Sequence, residues 1–198
     1  MLNRRILRIK VFKTVYAFAE NPSMSLAQAQ SQFDALCQGT RDLYLFMLAL
    51  LPALTEHSRA RIEAARNKFH PTEEERNPNM RFASNGIAAI LASDPDFNKI
   101  INKKKLSWQE YDALLWHLYD ALKASDYYAE YMNAPQPSLK ADADLWCSFF
   151  EKELADNEEL ESILEGQSIW WNNDLDYALT CCCRTLDELA AGKQWALP

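Results

Sequence analysis

The stretch SLAQAQSQFDALCQGTRDLYLFMLALLPALTEHSRARI fills residues 25–62. Its apolar residues Phe33, Leu36, Leu43, Phe46, Met47, Leu50, Leu54 and Ile62 recur at steps built from threes and fours, the spacing of one helix face. Ser25 followed by Gln28 reads as a capping box at the start of that helix. The segment is therefore one very long helix or two, with Gly39 and Pro52 as the break or kink points, since a proline removes a backbone donor and crowds the preceding turn. Phe46, Met47, Leu50 and Leu54 are expected to face the core. The run LYLFMLALLPAL (43–54) is apolar for only twelve residues and sits between Asp42 and Glu56. A membrane-spanning helix needs about 20 apolar residues, so this is read as a core helix.

Outward from this stretch the helix signals continue. Asn3 is placed to cap a first helix running to about Ala19 and ending near Asn21-Pro22. The segment 70–79 reads as a loop. Helices are expected around 81–92, from Asp94-Pro95 with proline in the first turn, and from Ser107 with Glu110 as a second capping box. A short helix fits 125–133, and NAPQPS (133–138) is a linker. Further helices fit 140–155, 157–165 and 174–191. No period-two alternation and no Asn-Gly or Asp-Gly hairpin turn separates β-branched runs. Only 4 of 198 residues are glycine. The fold class is all-α: a helical bundle with one long proline-kinked helix and several shorter ones.

Most chemistries find no footing. His57, His70 and His117 are far apart, without an i,i+4 His pair or a C-x-x-C, so no metal site is expected. Cys181, Cys182 and Cys183 project about 100° apart on a helix and cannot converge on one ion. The odd total of five cysteines, without framework spacing, reads as reduced thiols in a cytoplasmic setting. No glycine-framed serine and no glycine-rich phosphate loop occurs, so neither a catalytic residue nor a cofactor is assigned. Pairs such as Asp142/Asp144 and Asp174/Asp176 read as solvated helix surface. Trp170-Trp171 with Asn172-Asn173 reads as a docking contact or, less directly, a recognition surface.

The first sixteen residues depart from this pattern. The chain carries 21 Lys+Arg against 28 Asp+Glu, yet Arg4, Arg5, Arg8, Lys10 and Lys13 precede the first carboxylate, Glu20. Lys10 and Lys13 also interrupt what would otherwise resemble the apolar core of an export signal. Cations at a helix N-terminus oppose the helix dipole by about 0.3–1 kcal/mol each, so local helix energetics did not select them. Leu7, Val11, Val15 and Phe18 form one apolar stripe, and Ile9, Phe12 and Tyr16 a second. Burial of Leu7, Val11, Val15 and Tyr16 against later helices is expected. The five cations form a candidate RNA-phosphate footprint, since a guanidinium presents a planar fork of donors that matches phosphate. The rival reading pairs the arginines with the chain's own carboxylates.

RRILRIKVFKTVY, from Arg4 to Tyr16, resembles the arginine-rich first helix of the NusB family of bacterial transcription antitermination factors, R-R-x-x-R-x-x-A-x-Q-x-L-Y. Arg4, Arg5 and Arg8 take the arginine positions, Val11 the small apolar one, Lys13 the glutamine, and Val15-Tyr16 the Leu-Tyr pair. RNPNMRFASN (76–85), SDYYAEYM (125–132) and WWNNDLDYAL (170–179) are similar to stretches of the extended variant of that family. The resemblance implies a basic motif helix at 1–20 and an inserted helical domain at 25–198, with a sub-boundary at 133–138. The family's N-E-x-x-E-x-A-K and F-x-N-G-x-L stretches do not occur, so the C-terminal half of the usual domain is expected to be missing. The function implied is non-catalytic RNA binding in transcription antitermination or termination, in the cytoplasm and not at a membrane. The implied partners are boxA-like RNA, the ribosomal protein NusE and the transcription elongation complex. The alternative is a helical protein-interaction module with an acidic, aromatic-rich surface and no direct RNA contact.

Overall fold

A computed structural model describes residues 2–171 and 173–193. Asn172 and the last five positions, 194–198, lie outside the described residues, so the Asn172 part of the tryptophan-asparagine surface is not placed. The chain is an all-α bundle, three-quarters helical, with no strand among the described residues.

Its centre is α2, Leu26–Arg66, a 41-residue helix that starts at Ser25 with the capping box in place and runs unbroken through Pro52. Near the proline, the Thr55 hydroxyl donates to the carbonyls of Leu51 and Pro52, at 3.2 and 3.0 Å. Leu43 to Leu51 are buried on every side. A helix apolar all round must be enclosed by others, and here the enclosing helices are α4 (Gly86–Ser93), α5 (Pro95–Lys104), α6 (Asp112–Ala124) and α10 (Leu175–Ala190), with α8 (Leu139–Phe149) packed behind α4 and α10. Phe46, Met47, Leu50 and Leu54 all face this core, as expected. A short α7 (Asp126–Asn133), a π-helical turn after α8 (Phe150–Leu154) and α9 (Glu158–Gln167) complete the body. The core cluster is continuous from Leu43 to Leu189 and draws on elements from both sides of 133–138.

Three local expectations are corrected. The loop 70–79 contains α3, Glu73–Arg76, closed by a Thr72/Glu75 capping box. The helix expected from 81 begins at Gly86, behind an Asn85 cap, because Arg81 is engaged with the carbonyls of Ala134 and Gln136. Ser107 and Glu110 form no capping box: α6 begins at Asp112, and Ser107 instead accepts from the Gln109 amide. The buried Trp108 explains the delay, since its indole N–H donates to the Phe46 carbonyl at 2.8 Å and its ring stacks on Phe46. That anchor holds the chain against α2 before a helix can form.

Asp142 is also not solvated surface. It is buried, accepting from the Tyr131 hydroxyl and the Gly86 amide, both at 2.7 Å. Asn85 caps α4 and accepts from the Trp146 indole at 3.0 Å, so a satisfied polar cluster locks α4, α7 and α8 together.

The largest correction concerns α1, Arg4–Glu20, which packs chiefly along α2. Its buried residues are Ile6, Lys10 and Thr14. Leu7 is half-buried, but Val11, Val15 and Tyr16 are exposed. The helix is held by the narrow seam between its two apolar stripes, not by the stripes themselves. The reason is electrostatic: an acid from the far end of the chain makes a lysine on that seam acceptable to bury.

Candidate nucleic-acid interface

The start of α1 is fixed at both backbone and side chain. Asn3 Oδ1 accepts from the Ile6 amide at 2.9 Å, and the Asn3 amide donates to the Tyr177 hydroxyl of α10 at 3.1 Å. Further along, Lys10 Nζ donates to Asp174 Oδ2 at 2.6 Å, and the Thr40 hydroxyl donates to the same oxygen at 2.6 Å. Asp174 comes from the turn before α10, which reaches α2 because Gly39 has no side chain. A Cβ there would stand 2.6 Å from Trp170 Cβ. Trp171 is buried against Phe46, with ring centroids 5.2 Å apart. The two tryptophans therefore dock this turn on the body.

These contacts sort the five predicted cations. Lys10 is 2% exposed and ion-paired, so it is corrected from a phosphate ligand to a structural residue. Arg4, Arg5 and Arg8 are exposed and Lys13 is half-buried. None of these four side chains has an ion-pair or hydrogen-bond partner among the described residues. The rival pairing of the arginines with the chain's own carboxylates does not occur among the described residues; of the five cations, Lys10 is the one so paired.

Sequence reasoning missed the aromatics beside them. Phe12 is 70% exposed and Tyr16 60%, with ring centroids 6.3 Å apart and planes 23° from parallel. On the other flank, Val15 is 59% and Val11 47% exposed. The available signal was angular: at about 100° per residue, Ile6, Lys10 and Thr14 share one line, and both apolar stripes flank it.

Elsewhere, a groove of about 840 Å³ runs between the C-terminal part of α2, α3 and α6. Of its cations, Arg61 pairs with Asp120 at 2.6 Å and lies over the Trp116 ring, Lys68 pairs with Glu75, and Lys123 lies 5.7 Å from the Tyr119 ring centroid. No group of three His, Cys, Asp or Glu side chains suited to a metal occurs among the described residues. Likewise no helix among them is long and apolar enough to cross a membrane. The three histidines do not come together; His57 lies edge-on to Trp116 and Tyr119, while His117 bonds Glu159. Compared with protein-family models, with curated proteins and with solved structures, the chain matches none of them.

Proposed function

We propose that the chain is a non-catalytic, RNA-binding transcription antitermination or termination factor of NusB type, with α1 as the RNA-contacting helix. The observation that supports this reading is the set Arg4, Arg5 and Arg8, exposed and unpaired in the first two turns of a pinned helix, where the dipole disfavours cations. A protein of net charge −7 that concentrates unpaired cations there presents a local anion site. Lys13 adds a fourth cation. In this reading the RNA is boxA-like, NusE and the transcription elongation complex are the further partners, and the setting is cytoplasmic; all of these rest on the resemblance of RRILRIKVFKTVY to the family motif.

The experiment is a salt titration of binding to an unstructured 12-nucleotide RNA. Four phosphate contacts give a log–log slope of about −2.8 for a single strand, and the Arg4→Ala/Arg5→Ala/Arg8→Ala variant should flatten it to about −0.7. A variant that binds as tightly and as salt-dependently as the parent overturns the reading. Folding should be nearly unchanged, because exposed substitutions shift stability within about 0.5 kcal/mol.

A further inference from the structure

The line through Arg5, Arg8, Phe12 and Tyr16 has a composition that phosphate binding alone does not require. Steps of three, four and four residues place these side chains on one solvent face of α1. Phe12 and Tyr16 are among the most exposed large apolar residues of the chain, and their rings lie nearly parallel. Residues 4–19 contain no carboxylate; the one acid of the helix, Glu20, is its last residue, a turn beyond Tyr16 and at the end away from the arginines. The opposite flank carries Val11 and Val15 and a single ring, Phe18, 41% exposed and at the end of the helix away from the arginines; the Phe12/Tyr16 flank presents two nearly parallel rings in line with Arg5 and Arg8.

From this juxtaposition we infer that Phe12 and Tyr16 are a base-stacking platform, on which consecutive bases of single-stranded RNA lie while Arg5 and Arg8 hold the adjoining phosphates. The inference rests on the RNA-binding reading above and adds to it the residues that engage the bases. Along a helix the two ring positions are about 6 Å apart at 1.5 Å rise per residue. Aromatic stacking is tolerant of base identity, because every base has a π face. The platform therefore gives affinity and selects unpaired over paired RNA, since a duplex does not offer its base faces.

The test uses the whole chain and two probes, a 12-nucleotide oligoadenylate carrying one 2-aminopurine and an abasic ribose-phosphate oligomer of equal length. Phe12→Leu and Tyr16→Leu keep an apolar surface and remove the ring. Each should weaken oligoadenylate binding by about 5- to 150-fold, leave the salt slope unchanged and abolish quenching of 2-aminopurine. Neither should change binding of the abasic oligomer. If both variants bind oligoadenylate like the parent while the arginine variant does not, the stacking platform is wrong and the phosphate reading stands. If the parent binds neither oligomer at low salt, both are wrong. If the parent self-associates and Phe12→Glu returns it to a monomer, the face is a protein interface and the inference is overturned. Circular dichroism melts of each variant should match the parent, as the exposure of both rings requires.

Discussion

Lys10 and Asp174, 164 positions apart in the chain, form an almost wholly buried ion pair with Nζ and Oδ2 2.6 Å apart. The same Asp174 oxygen accepts from Thr40, so one carboxylate ties α1, α2 and the turn before α10. Ile6 and the seam of α1 lie outside the main core cluster. Among the described residues it is the one ion pair between the basic helix and the body. Removing one partner leaves an uncompensated buried charge, which typically costs about 3–5 kcal/mol. Lys10→Met and Asp174→Asn should each lower the urea midpoint strongly. The paired replacement Lys10→Met/Asp174→Leu should recover most of that loss, since apolar substitutes for a buried pair are often neutral. A loss in the double variant equal to the two single losses combined would show the residues acting independently.

Gly39 sets two effects against each other. In a helix interior, alanine for glycine is worth about 1 kcal/mol in propensity. At Gly39, however, a Cβ would stand 2.6 Å from Trp170 Cβ and 3.2 Å from the Trp170 carbonyl oxygen. Those atoms belong to the backbone and its first carbon, so relief requires moving the turn that carries Asp174. Overpacking of that kind costs about 1–3 kcal/mol, so Gly39→Ala should be destabilising on balance. At Gly166 of α9 a methyl group would meet nothing within 4 Å. Gly166→Ala should therefore stabilise by a fraction of a kcal/mol. Equal signs for the two variants in urea denaturation would refute the close-approach argument.

The sequence made α2 legible because its cap, its spacing and its all-round apolar middle agree, and no distant residue is needed to interpret them. The same holds for Asn3, for the proline-led start of α5 and for α7. The docking face of α1 was not legible from apolar spacing, because Asp174 decides it by neutralising Lys10. Lys10 looks like Arg8 in the sequence and differs only in the carboxylate that meets it. Asp142 misleads for the same reason: beside Asp144 it resembles a solvated pair, yet its partners Tyr131 and Gly86 come from α7 and α4. Arg4, Arg5 and Arg8 are legible as exposed cations because no long-range partner intervenes.

His57 predicts a pH dependence. Burial against Trp116 and Tyr119 lowers its pKa below the usual 6.5, and the Arg61 guanidinium lowers it further, while Asp112 and Asp120 pull the other way. The folded protein therefore holds this imidazole neutral at pH values where the unfolded chain binds a proton. Its contribution to stability is complete above about pH 6.5 and is lost as pH falls through the folded-state value. The midpoint of urea unfolding should thus fall less steeply between pH 7 and pH 5.5 for His57→Gln than for the parent. Parallel pH profiles would remove His57 from the account.

Adjacent cysteines diverge, and a cross-helix pair forms in their place. All five cysteines are free thiols, and Cys182 is buried with its sulfur 3.6 Å from the Tyr44 carbonyl; burial pushes its pKa well up. Cys183 instead meets Cys147 of α8, and both are half-buried. The neighbouring Cys147 thiol holds the pKa of Cys183 below the ordinary 9.0, although burial opposes this. The proximity of Cys183, together with burial, raises the pKa of Cys147. Thiolate is the reactive form, so iodoacetamide near pH 8 should label Cys183 before Cys147 or Cys182, as read by peptide mass spectrometry. Cys147→Ala should shift the pH–rate curve of Cys183 alkylation upward and slow labelling at pH 8. A Cys183 rate unchanged by that substitution would show that the neighbouring thiol does not set its acidity.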